Sequence, residues 1–192
     1  MTSDHTLILA SGSPRRKELL AKAGVWFVAM ESGVGESPGI GESAPDYANR
    51  TAGDKALAVS ARFAQPLVLA ADTVVECDGN ILGKPSDERE ARTMLGMLSG
   101  RTHRVTTAFA LARAGAIVES GAVTSSVTFR ALSDDEITAY VASRDPLDKA
   151  GAYGIQGIGT TFITHVEGPR DNVMGLPVEA VLAALRRHRA SK

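Results

Sequence analysis

The chain has 192 residues, 44% hydrophobic and 22% charged, with a formal net charge of −1. That length allows one domain or two closely joined lobes with a substantial core. The near-neutral charge gives no basis for non-specific nucleic-acid binding, so any cationic site must be local. The only cysteine, Cys77, excludes intramolecular disulfides and cysteine-based zinc sites. No apolar run is long enough for a signal segment or a membrane span, so the expected location is the cytoplasm.

In chain order, the apolar run Leu7-Ile8-Leu9-Ala10 predicts a short strand leading into a small-residue loop, Ser11-Gly12-Ser13. Ser13 then caps a helix that starts at Pro14 and runs to about Ala23, with Gly24 as its stop. Arg15, Arg16 and Lys17 fall in its first turn, where the helix dipole is already positive. Either an anion completes the site, as at phosphate-binding helix N-termini, or the turn is a solvated basic one. Val25 to Met30 predicts a strand, and the glycine-rich segment Glu31 to Gly41 a loop that carries Glu36. A second helix is expected from near Ser43 to about Arg62, with Ala48, Ala52, Lys55 and Val59 on one stripe.

Leu67 to Val75 reads as a strand buried on both faces, followed by an Asp78-Gly79-Asn80 turn and Ile81-Leu82-Gly83-Lys84-Pro85. Asp87 with Glu90 is a capping-box pattern for a third helix ending near Ser99-Gly100. Val105–Arg113 and Ala116–Phe129 predict two long strands turning at Gly115. Ser133 with Glu136 predicts another capping box and a helix to about Ser143. A glycine-spaced loop over Gly151–Gly159, a strand over Thr160–Val166, a loop and a helix from about Pro177 complete the chain. This mixture favours an α/β or α+β fold with a mixed sheet over a doubly wound parallel one.

Several residues are costly where they stand. Asp72 interrupts a buried strand, so it must pair with a loop or cap, bind a metal, or act as a base at a cleft-facing strand end. Lys55 is the one charge on its alanine and valine stripe, either leaning into a cleft or snorkelling. Lys84, in a tight Gly-Lys-Pro loop, reads equally as an ordinary surface lysine, and Glu36 reads as a solvated loop acid rather than a second metal ligand. Gln156 lies among glycines that would let a ligand approach the backbone, and its amide offers both donor and acceptor. Cys77 has no adjoining cationic activator, which favours a packing role over a nucleophile. His5, His103, His165 and His188 show no metal-ligand spacing and receive no role. P-loop, dinucleotide-binding and nucleophile-elbow motifs are all missing.

The run Ser11-Gly12-Ser13-Pro14-Arg15-Arg16-Lys17-Glu18-Leu19-Leu20 resembles the opening motif of the Maf family of nucleoside triphosphate pyrophosphatases. The resemblance continues through Glu42-Ser43, Tyr47, Arg50, Lys55-Ala56, Ala71-Asp72-Thr73-Val74-Val75, Leu82-Gly83-Lys84-Pro85 and Leu98-Ser99-Gly100-Arg101-Thr102-His103. It closes with Asp148–Gly157, Asn172-Val173 and Gly175-Leu176-Pro177, in the family's order over nearly the whole chain.

The resemblance implies a single domain of two lobes with a cleft and a strongly curved mixed sheet flanked by helices, like the inosine triphosphate pyrophosphatases. It implies hydrolysis of a nucleoside triphosphate to the monophosphate and pyrophosphate with Mg²⁺ or Mn²⁺. Asp72 would be the proton acceptor and touch the metal with Glu36. Ser11, Arg15, Arg16, Lys55 and Lys84 would hold the phosphates.

Thr73 and Gln156 look like the dTTP/UTP subgroup, whereas members acting on 7-methyl-GTP tend to carry Gln and Glu there. With Arg15, these two are expected to discriminate the substrate. A glutamine amide matches the O4 and N3–H edge of uracil or thymine. The competing expectations are a 7-methyl-GTP pyrophosphatase and a non-catalytic nucleotide-binding regulator of cell division. The expected partner is the nucleotide alone, with no nucleic acid polymer and no membrane, and a homodimer left open. Thr51, where the family often has leucine, and the loop Gly168-Pro169-Arg170-Asp171 depart from the family pattern.

Overall fold

The computed structural model describes residues 7–189. Its strands are β1 (Leu7–Leu9), β2 (Val28–Ala29), β3 (Leu67–Cys77), β4 (Asn80–Leu82), β5 (Thr102–Arg113), β6 (Ala116–Phe129) and β7 (Ile163–Glu167). They form one seven-stranded sheet in the order β2-β1-β3-β5-β6-β7, with β4 paired to β3. β1 runs parallel to β2 and β3, while β3/β4 and β6/β7 are antiparallel, so the sheet is mixed as expected. The helices are α1 (Pro14–Lys22), α2 (Ala44–Ser60), α3 (Glu88–Leu98), α4 (Asp134–Ala142), α5 (Arg170–Met174) and α6 (Val178–Arg189). Among the described residues, no helix is long and apolar enough to cross a membrane.

The chain divides into two compact units. The first runs up to Asp72 and includes Thr107–Val123 and the segment from Gly175 on; the second comprises Thr73–Thr106 and Thr124–Met174. In the first, β1 is buried along its whole length and pairs in parallel on both edges, the apolar pattern of a strand covered on both faces. Leu20 of α1 and Ala48, Ala52, Ala56 and Val59 of α2 are also fully buried. The alanines keep the α2 stripe thin, which leaves room for the longer Lys55 among them.

The second unit has its own core, in which Leu95, Leu98, Val105, Val127, Phe129, Tyr140, Tyr153 and Phe162 pack together. Cys77 belongs to that core, its thiol 3.7 Å from the Met97 carbonyl, and burial raises its pKa. This agrees with a packing role.

Local sequence signals explain most boundaries. Ser13, Ser43, Asp87 and Ser133 each cap the helix that follows by accepting a backbone N–H. Ser133 and Glu136 form the full reciprocal box. Asp87 does not: the Glu90 carboxylate turns instead to the backbone N–H and hydroxyl of Ser86, both at 2.6 Å.

Other expectations need correction. The strand expected over Val25–Met30 shrinks to Val28–Ala29, since only Ile8 and Leu9 of the short β1 are there to pair with. The strand expected from Thr160 begins at Ile163, after a 3₁₀ helix over Gly157–Phe162. The loop expected over Gly151–Gly159 opens within a 3₁₀ turn at Ala150–Ala152, and another 3₁₀ turn precedes it at Asp145–Asp148. α5 was not expected at all; it occupies part of the loop that departs from the family pattern.

Candidate active site

In the first unit, the turn between β1 and α1 is built by serines. The Ser11 backbone N–H bonds the Leu9 carbonyl at 2.9 Å, and Ser13 N–H donates to Ser11 Oγ at 3.2 Å. Ser13 Oγ accepts from Arg16 N–H at 3.5 Å, closing the cap. Gly12 fits because a Cβ there would collide with the carboxylate of Glu31. The Arg16 guanidinium folds back over this turn, its Nε donating to the Gly175 carbonyl at 2.8 Å and Nη1 lying 3.5 Å from Ser11 Oγ. Burial lowers the Arg16 pKa, while Asp72 and then Glu36 pull it back up and Arg15 lowers it further. The group stays a cation. The protein's own carboxylates therefore offset part of the positive charge that the helix start concentrates.

Asp72, 5% exposed, has an ion-pair partner in Lys55, equally buried, which donates from Nζ to Asp72 Oδ1 at 2.7 Å. The same ammonium stands 2.6 Å from Glu36 Oε1. One buried cation thus gathers a strand carboxylate and a loop carboxylate, which offsets the cost of burying the strand aspartate. Tyr47, one helical turn past the start of α2, feels the same field: burial first, then Asp72 and Glu36, raise its phenol pKa.

The loop that carries Glu36 is clamped to α2 by a pair to which the sequence assigns no task. Arg50 grips Glu42 through two bonds, Nε–Oε1 at 2.7 Å and Nη2–Oε2 at 2.8 Å, and Nη2 also bonds the Ser37 carbonyl at 3.0 Å. Gly39 N–H donates to Glu42 Oε2 at 2.7 Å. Arg50 and the Gly39 amide hold the Glu42 carboxyl down at a pKa of about 2. Arg50 and Lys55, five residues apart on one helix, so secure the residue after Glu36 and the Glu36 carboxylate itself. The signal was present in the motif residues Glu42 and Arg50.

In the second unit, Thr73 is half-buried and Lys84 and Gln156 are exposed. Their loops are tied together: Gly151 N–H donates to the Gly83 carbonyl at 3.0 Å. Gly151 has φ +69° and lies so close to Val75 that a Cβ would approach its Cγ1 to 3.0 Å. Both facts demand glycine. His103 has no role by spacing, but its Nε2 shares a 2.7 Å hydrogen bond with the Tyr153 hydroxyl, and both rings stack edge-on with Phe129. Burial pushes His103 down to about 4, so it is neutral at physiological pH. His188 bonds Glu119, His165 is exposed on β7, and His5 lies outside the described residues.

The bonds above join five of the nine predicted site residues: Ser11 with Arg16, and Lys55 with both Asp72 and Glu36. Ser11, Arg15, Arg16, Glu36, Lys55 and Asp72 belong to the first unit, and Thr73, Lys84 and Gln156 to the second. Among the described residues no group of three or more His, Cys, Asp or Glu could hold a metal by itself. Glu36 and Asp72, sharing one ammonium, are hard oxygen donors of the kind Mg²⁺ takes in ones and twos when substrate phosphates complete its shell. They fit a cation shared with the substrate and do not form a closed cage.

A family model described as "Maf-like protein" matches residues 6–188. A dTTP/UTP pyrophosphatase of Myxococcus xanthus is 48% identical over 188 residues, covering 97% of this chain and 95% of its own. One from Bacillus cereus is 47% identical, with 94% of each chain covered. One from Shigella sonnei is 51% identical, with 90% of this chain and 88% of its own covered. A solved nucleoside-triphosphatase / dITP/XTP pyrophosphatase from Mycobacterium abscessus aligns at a TM-score of 0.44 with 16% identity, over 97% of this chain and 96% of that one. That likeness is too loose to carry a fold relationship.

Proposed function

The chain belongs to the Maf-like protein family, and we propose on that premise that it hydrolyses dTTP, UTP and related pyrimidine nucleoside triphosphates to the monophosphate and pyrophosphate. The observation that carries the reading is the buried Lys55–Asp72 pair with Glu36 on the same ammonium. Water attacks the α-phosphorus, the bond from that phosphorus to the bridging oxygen breaks, and pyrophosphate leaves. The water's proton passes to a carboxylate, for which Asp72 is our candidate. Lys55 offsets the cost of keeping that carboxylate in a buried strand.

Ser11, Arg15 and Arg16 at the start of α1, with Lys55 and Lys84, bind the phosphate oxygens, whose charge grows as the leaving group departs. A guanidinium pinned to the Gly175 carbonyl, as Arg16 is, loses little freedom when it meets a phosphate. Mg²⁺ or Mn²⁺, held by Asp72 and Glu36, would supply further neutralisation of that charge. Gln156 and Thr73, with Arg15, select the base. The presence of both carboxylates and all the cations favours turnover over nucleotide binding alone. Thr73 and Gln156 favour pyrimidines over 7-methyl-GTP. The nucleotide precursor pool is cytoplasmic, which is where we place the enzyme.

The test is pyrophosphate release from dTTP, UTP, CTP, dGTP and 7-methyl-GTP with Mg²⁺ or Mn²⁺, for the native chain and for Asp72→Asn. Preferred release from dTTP and UTP is expected, with a loss of roughly 10²–10⁴-fold in the variant. Undiminished turnover in Asp72→Asn removes Asp72 from the mechanism. Nucleotide binding without pyrophosphate release removes the hydrolase.

A further inference from the structure

We propose that Tyr140 is a positioning residue for pyrimidine selectivity, fixing the backbone from Gly154 to Gln156 through its hydroxyl. The inference rests on the reading of Gln156 as the base-selecting residue.

An amide can discriminate one base edge from another only if its backbone is held; a side chain free to move can swing its donor and acceptor to suit either. The segment around Gln156 has no ladder to hold it. It is a run of 3₁₀ turns with left-handed residues at Gly151, Ala152 and Gly157. Its support comes from α4. Tyr140, 2% exposed, accepts the Gly154 N–H at 3.3 Å and donates its own proton to Asp145 Oδ2 at 2.8 Å.

Asp145 is itself fixed. Lys149 donates from Nζ to Asp145 Oδ1 at 3.0 Å and to Asp148 Oδ1 at 2.6 Å, and also bonds the Asp145 carbonyl. The phenol is therefore not a freely turning hydroxyl: its donor is committed to Asp145, which leaves its lone pairs aimed at Gly154. Burial, Asp145 and its hydrogen bond all raise the Tyr140 pKa, so the proton stays on the phenol.

Close approach holds the segment further. A Cβ on Gly159 would collide with the Gly154 carbonyl oxygen and come within 3.0 Å of the Tyr140 hydroxyl. Thr160 Oγ1 donates to the Ile155 carbonyl at 2.9 Å. Two residues before Gln156 and one residue before it are thus fixed from independent directions, while the Gln156 side chain stays exposed for a ligand. Tyr140 is too deeply buried to touch a nucleotide, so any effect it has on substrate choice travels through this backbone.

Two variants act on Gly154: Tyr140→Phe removes the hydroxyl that its N–H bonds, and Gly159→Ala pushes on its carbonyl. Both are compared with the native chain by hydrogen exchange of the Gly154 amide and by kcat and KM for dTTP and dGTP. The expected result is faster exchange at Gly154. The dTTP-over-dGTP ratio of kcat/KM should fall roughly tenfold, carried by KM for dTTP with kcat nearly unchanged. A purely structural tyrosine would lower the unfolding midpoint and leave the ratio alone. An unchanged ratio in folded Tyr140→Phe overturns the proposal, whether or not Gly154 exchange accelerates. If the native chain turns over no nucleotide, the hydrolase reading fails separately. The ratio of dTMP to dGMP affinities by calorimetry then decides the positioning role, and its insensitivity to both variants overturns it.

Discussion

Replacing Lys55 by methionine keeps an unbranched apolar stem one atom shorter and deletes the charge, leaving Asp72 buried beside the Glu36 carboxylate. At 2.7 Å the Lys55–Asp72 attraction is about 6 kcal/mol for an effective dielectric near 20. Desolvation of both groups cancels part of it, and removing one partner of such a buried pair costs about 3–5 kcal/mol. Glu36 adds little, because its side chain is 35% exposed and water screens it to roughly 1 kcal/mol or less. Lys55→Met should therefore lose about 3–5 kcal/mol in urea unfolding at neutral pH, a large share of a typical domain's stability. Far-UV circular dichroism is the suitable probe, since the single tryptophan, Trp26, is 68% exposed and changes environment little. Lys55→Met with Asp72→Asn should cost less than Lys55→Met alone, because the stranded charge is gone. A loss below about 1 kcal/mol, or a double variant that shows the sum of the single losses, refutes a buried, coupled pair.

Arg50→Ala frees the Ser37 carbonyl and the Glu42 carboxylate, and should weaken Mn²⁺ binding with a non-hydrolysable nucleotide roughly tenfold by calorimetry, leaving the fold intact; unchanged affinity would show that the clamp does not position Glu36. His103 has a folded pKa of about 4 against an ordinary 6.5. The unfolded chain binds more protons between those values, so stability rises with pH across that window and is lost as pH falls through it. The loss is roughly 3 kcal/mol from this group. His103→Gln should flatten the pH 4–6.5 slope of urea unfolding, and an unaltered slope would contradict a neutral, buried imidazole.

The sequence was most legible where one strong local rule acts alone. Pro14 after Ser13 and Ser133 three residues before Glu136 mark helix starts that the structure places as expected, and the anomalous Asp72 and Lys55 prove to be each other's partner. It was least legible where the decision lies with a distant partner. Val25–Met30 has the apolar content of a strand, but only two residues of β1 pair with it. Glu90 had the spacing of a capping-box acid, and a neighbouring Ser86 offered two better donors. The glycine-rich stretch before β7 looked open because no short-range pattern reveals that Tyr140, Asp145 and Thr160 will bind its backbone. Residue types pointed to Glu36, but its tie to Lys55 depends on a loop path that Arg50 and Glu42 determine.

Cys77 has a consequence of a practical kind. The chain has one thiol, 1% exposed, in the core of the second unit beneath the Asp78-Gly79 turn, and its pKa is raised. A thiol in that state reacts slowly with alkylating reagents and oxidants while the unit stays closed. The rate at which it becomes modified therefore counts openings of that unit alone, without any engineered label. The same shielding keeps the chain from cross-linking through its only sulfhydryl while that unit stays closed.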